Sequence, residues 1–132
     1  ARGTADKPIV FTSASATPKA GDWLGVWFAS HLDPSDALDH VTISYAGKVS
    51  TTIAGCPLNT AAQAALVIVG YEPSASFLTS SVISDSGKDG VFRGWIGSPV
   101  DFSATNTFTN VPHCKQTNPP SAQGVCSASA CQ

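Results

Sequence analysis

The sequence predicts an all-β domain, an antiparallel β-sandwich of roughly seven or eight short strands. Short runs of β-branched and aromatic residues recur along the chain, and clusters of Gly, Pro, Asn, Asp and Ser separate them. A small closed barrel is the alternative architecture.

Ala1 to Lys7 reads as a loose leader, and Pro8 to Ser13 as an edge strand, because proline can stand only at its start. Gly21-Asp22 is a turn pair that opens into Trp23-Leu24-Gly25-Val26-Trp27-Phe28. Both faces of that run are apolar, which marks an inner strand. His31 to His40 is polar, with one Pro and three Asp. Val41 to Tyr45 alternates as a half-buried strand, and Ala46-Gly47-Lys48 predicts a tight turn with Val49 to Ile53 returning as a hairpin partner. Gly55 to Thr60 is punctuation. Gln63 to Tyr71 reads as a central buried strand, with a helix capped by Thr60 as the competing reading. Phe77 to Ser84, Val91 to Ile96 and Thr105 to Val111 supply the remaining strands. Residues 1–111 are thus one domain, and 112–132 a Pro/Ser-rich, cysteine-containing tail packed on it.

Composition narrows the function classes. Charged residues make up 12% of the chain, about half the roughly 25% usual for soluble domains. A hydrophobic share of 42% argues against disorder. The net charge is -2 with no Lys/Arg cluster, so a nucleic-acid partner is not expected. No apolar run reaches the roughly 18 residues of a membrane span, so no membrane insertion is expected.

The four cysteines are Cys56, Cys114, Cys126 and Cys131. An even count in a small chain suggests an oxidising compartment, hence a secreted, extracellular protein. An Ala start and the lack of Met fit a mature form after signal removal. With no CxxC pair, disulfides are preferred over zinc or free thiols. Four cysteines allow three pairings, and spacing alone does not choose. The favoured pairing is Cys56 with Cys114 as a long staple and Cys126 with Cys131 closing the tail. No Asn-x-Ser/Thr sequon occurs, so N-glycosylation is not expected.

The segment Gly21 to Trp27, GDWLGVW, resembles the (G/R)-D-W-(I/V)-G-(I/V) stretch of immunoglobulin-like and fibronectin-III-like sandwiches, such as the N-terminal domain of plant purple acid phosphatases and SKICH domains. The resemblance covers about seven residues and implies a sandwich strand after a turn, with no activity attached. In composition the chain is similar to small cysteine-containing secreted proteins of fungi, including effector and immunomodulatory types.

Candidate chemistry starts with the indoles. Trp23 and Trp27 share one strand face, where the inner-strand setting favours core roles. Trp95 shares a face with Val91 and Arg93, and Arg93-Gly94 beside it suggests an accessible surface. Stacked rings suit the apolar face of a pyranose. The loop carrying His31, Asp33, Asp36, Asp39 and His40 holds metal-ligand residue types but neither an HxxxH nor an EF-hand pattern, and turn and cap roles explain Asp33 and Asp36. Asp85 to Gly90 reads as a solvated hairpin loop. No GxSxG elbow occurs, and His113-Cys114 loses its thiol to a disulfide, so no catalytic residue and no cofactor is expected.

The function expected is therefore non-enzymatic, lectin-like recognition of a carbohydrate or cell-surface glycoconjugate. Its ligand-binding residues are Trp95 and Arg93 first, then Asp33, Asp36 and His40. The alternative is a fungal-type effector or immunomodulatory protein acting through protein contacts with a receptor or a second copy of itself. A small hydrolase ranks third.

Overall fold

The computed structural model describes residues 1–30, 32–50, 62–122 and 131–132. Through the described residues run nine strands and no helix. They are β1 (Ile9–Phe11), β2 (Val26–Ser30), β3 (Leu38–Asp39), β4 (Val41–Ser44), β5 (Ala64–Gly70), β6 (Leu78–Thr79), β7 (Val82–Ser84), β8 (Asp89–Trp95) and β9 (Thr107–Thr109). Three sheets have the orders β1-β4-β7-β9, β2-β5-β8 and β3-β6, and every strand pair is parallel.

The antiparallel sandwich of immunoglobulin-like or fibronectin-III-like type is thereby overturned as the fold of this chain. Gly21 to Trp27 does lead from a turn into β2, but β2 joins a parallel sheet. Alternation and β-propensity register an extended chain with a covered face and carry no information on the direction of its partner. The Val49 to Ile53 hairpin fails for the same reason. Residues 46–50 form no strand, and β4 pairs with β1 and β7 instead; residues 51–53 lie outside the described ones. Phe77 to Ser84 divides at Ser80 into β6 and β7.

Strands that recur in the same three sheets, always in the same direction, describe a chain winding as a parallel β-helix. One circuit is β3-β4-β5 and the next is β6-β7-β8. Before them come β1 and β2, with Arg2 bridged to Asp39; after them come β9 and Gln116, the latter bridged to Val91. Gln116 and Cys114 are both 0% exposed, so the expected tail begins inside the last circuit. Leu38 registers on Leu78, Ile43 on Ile83 and Val26 on Leu66, a circuit of 40 residues. The next is 25, since Val82 registers on Thr107 and Leu66 on Val91.

The corners repeat too. Tyr45, Asp85 and Asn110, each just past a strand of the four-stranded sheet, have φ of 60°, 52° and 53°, and His40 and Ser80 have 50° and 49° one corner earlier. A left-handed residue costs about 1–2 kcal/mol, offset here because the ladder continues through it. Tyr45 N donates to Ser84 O (3.2 Å), Asp85 N to Thr109 O (3.0 Å), and Asn110 Nδ2 to Asp85 Oδ1 (2.8 Å). Gly47 and Gly87 meet so closely that a Cβ on Gly87 would run into the Gly47 carbonyl.

Leu38, Val41, Ile43, Leu66, Ile68, Leu78, Ile83 and Val91 point inward and are 0–2% exposed. Phe28 and Phe77 meet edge to face at 4.9 Å, and Trp95 and Phe102 at 6.3 Å. Ile9, Phe11, Trp23, Val26 and Phe28, the inward side chains of the first circuit, are only partly buried. Ile83→Ala should lower unfolding free energy by about 2–5 kcal/mol in a urea titration, whereas Val10→Ala, at a 56% exposed site, should stay within about 0.5 kcal/mol.

Candidate functional site

Three loops leave the same end of the β2-β5-β8 sheet: residues 32–37, 71–77 and 96–106. Ser30, Gly70 and Trp95 stand in register, so the loops start one above another. In the first, Asp33 Oδ1 accepts from Ser35 N (2.8 Å) and Oγ (2.6 Å), and Asp36 Oδ2 accepts from Asp33 N (2.9 Å). These are Asx-type turns, the local reason Asp occupies both positions. In the second, Glu72 Oε2 accepts from Ser98 N of the third loop at 3.0 Å, and Phe77 N donates to Ser74 O at 3.0 Å.

Between the first two loops lies a cleft of about 210 Å³. Leu32 and Pro34 supply its apolar wall, with the buried Phe77 behind them, and Asp33, Asp36, Glu72 and Ser74 its polar one. Tyr71, which precedes Glu72, is 55% exposed, and Ile96, one residue past the Gly70–Trp95 pair, is 49% exposed.

The fold thus gathers Asp33 and Asp36 but not the other expected site residues. His31 lies outside the described residues. His40 sits at the corner between β3 and β4, with Nδ1 3.1 Å from Asp39 Oδ1. The Thr79 hydroxyl, then His40, holds the Asp39 carboxyl below its ordinary range.

Trp95 and Arg93 are corrected from surface to interior. The register Ile68–Arg93 turns the Arg93 side chain to the core face, and Arg93 is 0% exposed. Its guanidinium donates to Val100 O (2.6 Å), Gln132 Oε1 (2.5 Å) and Asn118 Oδ1 (3.5 Å), and also to Thr117 O. Burial lowers its pKa, and the nearby Asp101 opposes that shift. Trp95 is 1% exposed, and its Nε1 donates to Ser98 O (3.1 Å). Neither ring nor guanidinium has a face left to stack on a sugar. Trp23 and Trp27 are half-buried, and Trp23 Nε1 donates to Ser44 O (2.9 Å).

Around Arg93 the C-terminal segment closes the last circuit. Gln116 accepts from Phe102 N (3.0 Å) and donates to Asp101 Oδ1 (2.5 Å). Hydrogen bonds from the Ser103 hydroxyl and amide, then from Gln116, hold the Asp101 carboxyl below its ordinary range. Cys114 is joined to Cys131, which rules out both expected pairings; Cys56 and Cys126 themselves lie outside the described residues. Two extended segments stacked through Thr117 and Cys131 bring the sulfurs together, a contact that loop length alone does not reveal.

Glu72 and Tyr71 were not anticipated as site residues. The available signal is the 40-residue repeat, which lays the loop at Glu72 over the loop at Leu32. No family model, curated protein or solved structure matches the chain.

Trp95→Ala should cost about 3–5 kcal/mol in urea unfolding, a core loss rather than a binding loss. Asp101 has a depressed folded-state pKa, so its contribution to stability is complete above the unfolded value of about 3.9 and disappears as pH falls through the folded value. Melting temperatures between pH 2 and 5 should therefore fall less steeply in Asp101→Asn than in the parent.

Proposed function

We propose that this chain is a secreted, non-enzymatic β-helix that binds carbohydrate, with one sugar unit seated in the cleft between residues 32–36 and 72–77. The observation that carries the reading is the lining of that cleft: an apolar wall of Leu32 and Pro34, backed by the buried Phe77, against Asp33, Asp36, Glu72 and Ser74. A pyranose has the matching halves, a C–H face and a rim of hydroxyls, and carboxylates accept hydroxyl hydrogen bonds. At about 210 Å³ the cleft falls below the roughly 300–1,000 Å³ of sites that engulf a whole ligand. It suits one residue of a longer glycan lying across the stacked loops.

Tyr71, the chain neighbour of the lining residue Glu72, is 55% exposed and offers the ring that Trp95 does not. Three carboxylates disfavour uronic acids and sulfated sugars, and favour neutral or amino sugars. Its carboxylates hold loop amides, Asp33 that of Ser35, Asp36 that of Asp33 and Glu72 that of Ser98, which supports a binding role for the cleft. A disulfide supports the extracellular placement.

A glycan array followed by titration calorimetry tests this. Neutral or amino-sugar glycans should be retained and sulfated ones refused, and Tyr71→Ala should weaken binding about tenfold. Retention of no glycan, or undiminished binding by Tyr71→Ala, removes the proposal.

A second reading, self-association, rests on the first circuit. Its inward side chains are only partly buried, and β1 and β2 each have a hydrogen-bonded neighbour on one side only among the described strands. Such an edge invites a further strand, and a second copy offers the same apolar end. Light scattering that shows a monomer at all accessible concentrations eliminates this reading.

A further inference from the structure

The last circuit holds a second cluster of chemically competent groups. Cys114 Sγ lies 3.2 Å from His113 Nδ1, and the ligand atoms of His113, Cys114 and Cys131 all fall within 4.8 Å of one another. We propose that reduction of Cys114–Cys131 turns this staple into a binding site for a zinc-type divalent ion, held by the two thiolates and His113.

Geometry supports it first. Tetrahedral zinc, with Zn–S about 2.3 Å and Zn–N about 2.0–2.1 Å, places its ligand atoms about 3.5–3.8 Å apart. The spacing already present brackets that range, so the sulfurs need only separate once their bond is broken. Cys114 is buried and fixed, while His113 and Cys131 are exposed, which gives an anchor and an entry path. Asp89, 4% exposed, is poised beside them: its Oδ1 lies 2.6 Å from His113 Nδ1 and accepts from Cys114 N at 3.0 Å. Through its hydrogen bond from Cys114 N it fixes the anchoring ligand, and water takes the fourth position.

The chemistry balances with a phosphine reductant: the S–S bond takes two electrons and two protons to give two thiols, and phosphine and water give phosphine oxide. The metal then displaces both thiol protons to solvent and takes Nδ1 in place of its contact with Asp89, the single imidazole proton moving to Nε2. The intact disulfide offers no thiolate, so the site is present in one redox state only.

The test uses the chain with Cys56→Ser and Cys126→Ser, so that only one cysteine pair can respond, titrated with Co²⁺ before and after phosphine treatment. The reduced protein should bind one equivalent of Co²⁺ with thiolate-to-cobalt charge-transfer absorption and tetrahedral d–d bands, displaced by Zn²⁺. The oxidised protein should show neither. His113→Ala should weaken binding at least tenfold and shift the d–d envelope. The four-cysteine chain with and without His113→Ala gives the same comparison if the serine background does not fold. Absence of charge-transfer bands after reduction, equal affinity in His113→Ala, or binding in the oxidised protein overturns the proposal.

Discussion

Superposition of one circuit on the next is the constraint on which this structure depends. A strand of a parallel β-helix finds its hydrogen-bond partners only in the circuits above and below, so each circuit must place extended chain and corners where its neighbours do. Leu38 on Leu78 and Ile43 on Ile83 are the apolar side of that requirement. The left-handed residues Tyr45, Asp85 and Asn110 are the backbone side. Length is free to vary only where the chain leaves the stack, which is why circuits of 40 and 25 residues coexist.

The candidate site follows from the same rule. Because Ser30, Gly70 and Trp95 end their strands in register, the loops beyond them are delivered to one edge. Asp33, Asp36 and Glu72 then share a cleft despite their separation in sequence. The buried cation at Arg93 belongs to the other half of the design. Among the described residues its partners are the carbonyl oxygens of Val100 and Thr117 and the amide oxygens of Asn118 and Gln132 rather than a contacting carboxylate, so it closes the interior by hydrogen bonding.

Strands were legible one at a time and their assembly was not. Val41 to Ser44, Ala64 to Gly70 and Asp89 to Trp95 announce themselves by β-branched, apolar runs, and Asp33 and Asp36 by their turn chemistry. Pairing direction is encoded elsewhere, in the recurrence of Leu, Ile-Ser and Gly-Lys between 38–48 and 78–88. With five shared residues and a partner repeat shortened to 25, that signal is faint beside the local alternation. Arg93 shows the limit of reading a residue by type: charge suggests surface, yet register with Ile68 decides that it faces inward.

The two ends of the coil are not equivalent. At one, a disulfide, a buried guanidinium and Gln116 close the interior; at the other, Ile9, Phe11 and Val26 are left half covered. In a stack held together by nearest-neighbour contacts, that asymmetry gives the molecule a direction of melting. Amide protons of β1 and β2 exchange first, and protection deepens circuit by circuit toward the sealed end, leaving the loop cleft on the boundary between the loosest and the firmest turns.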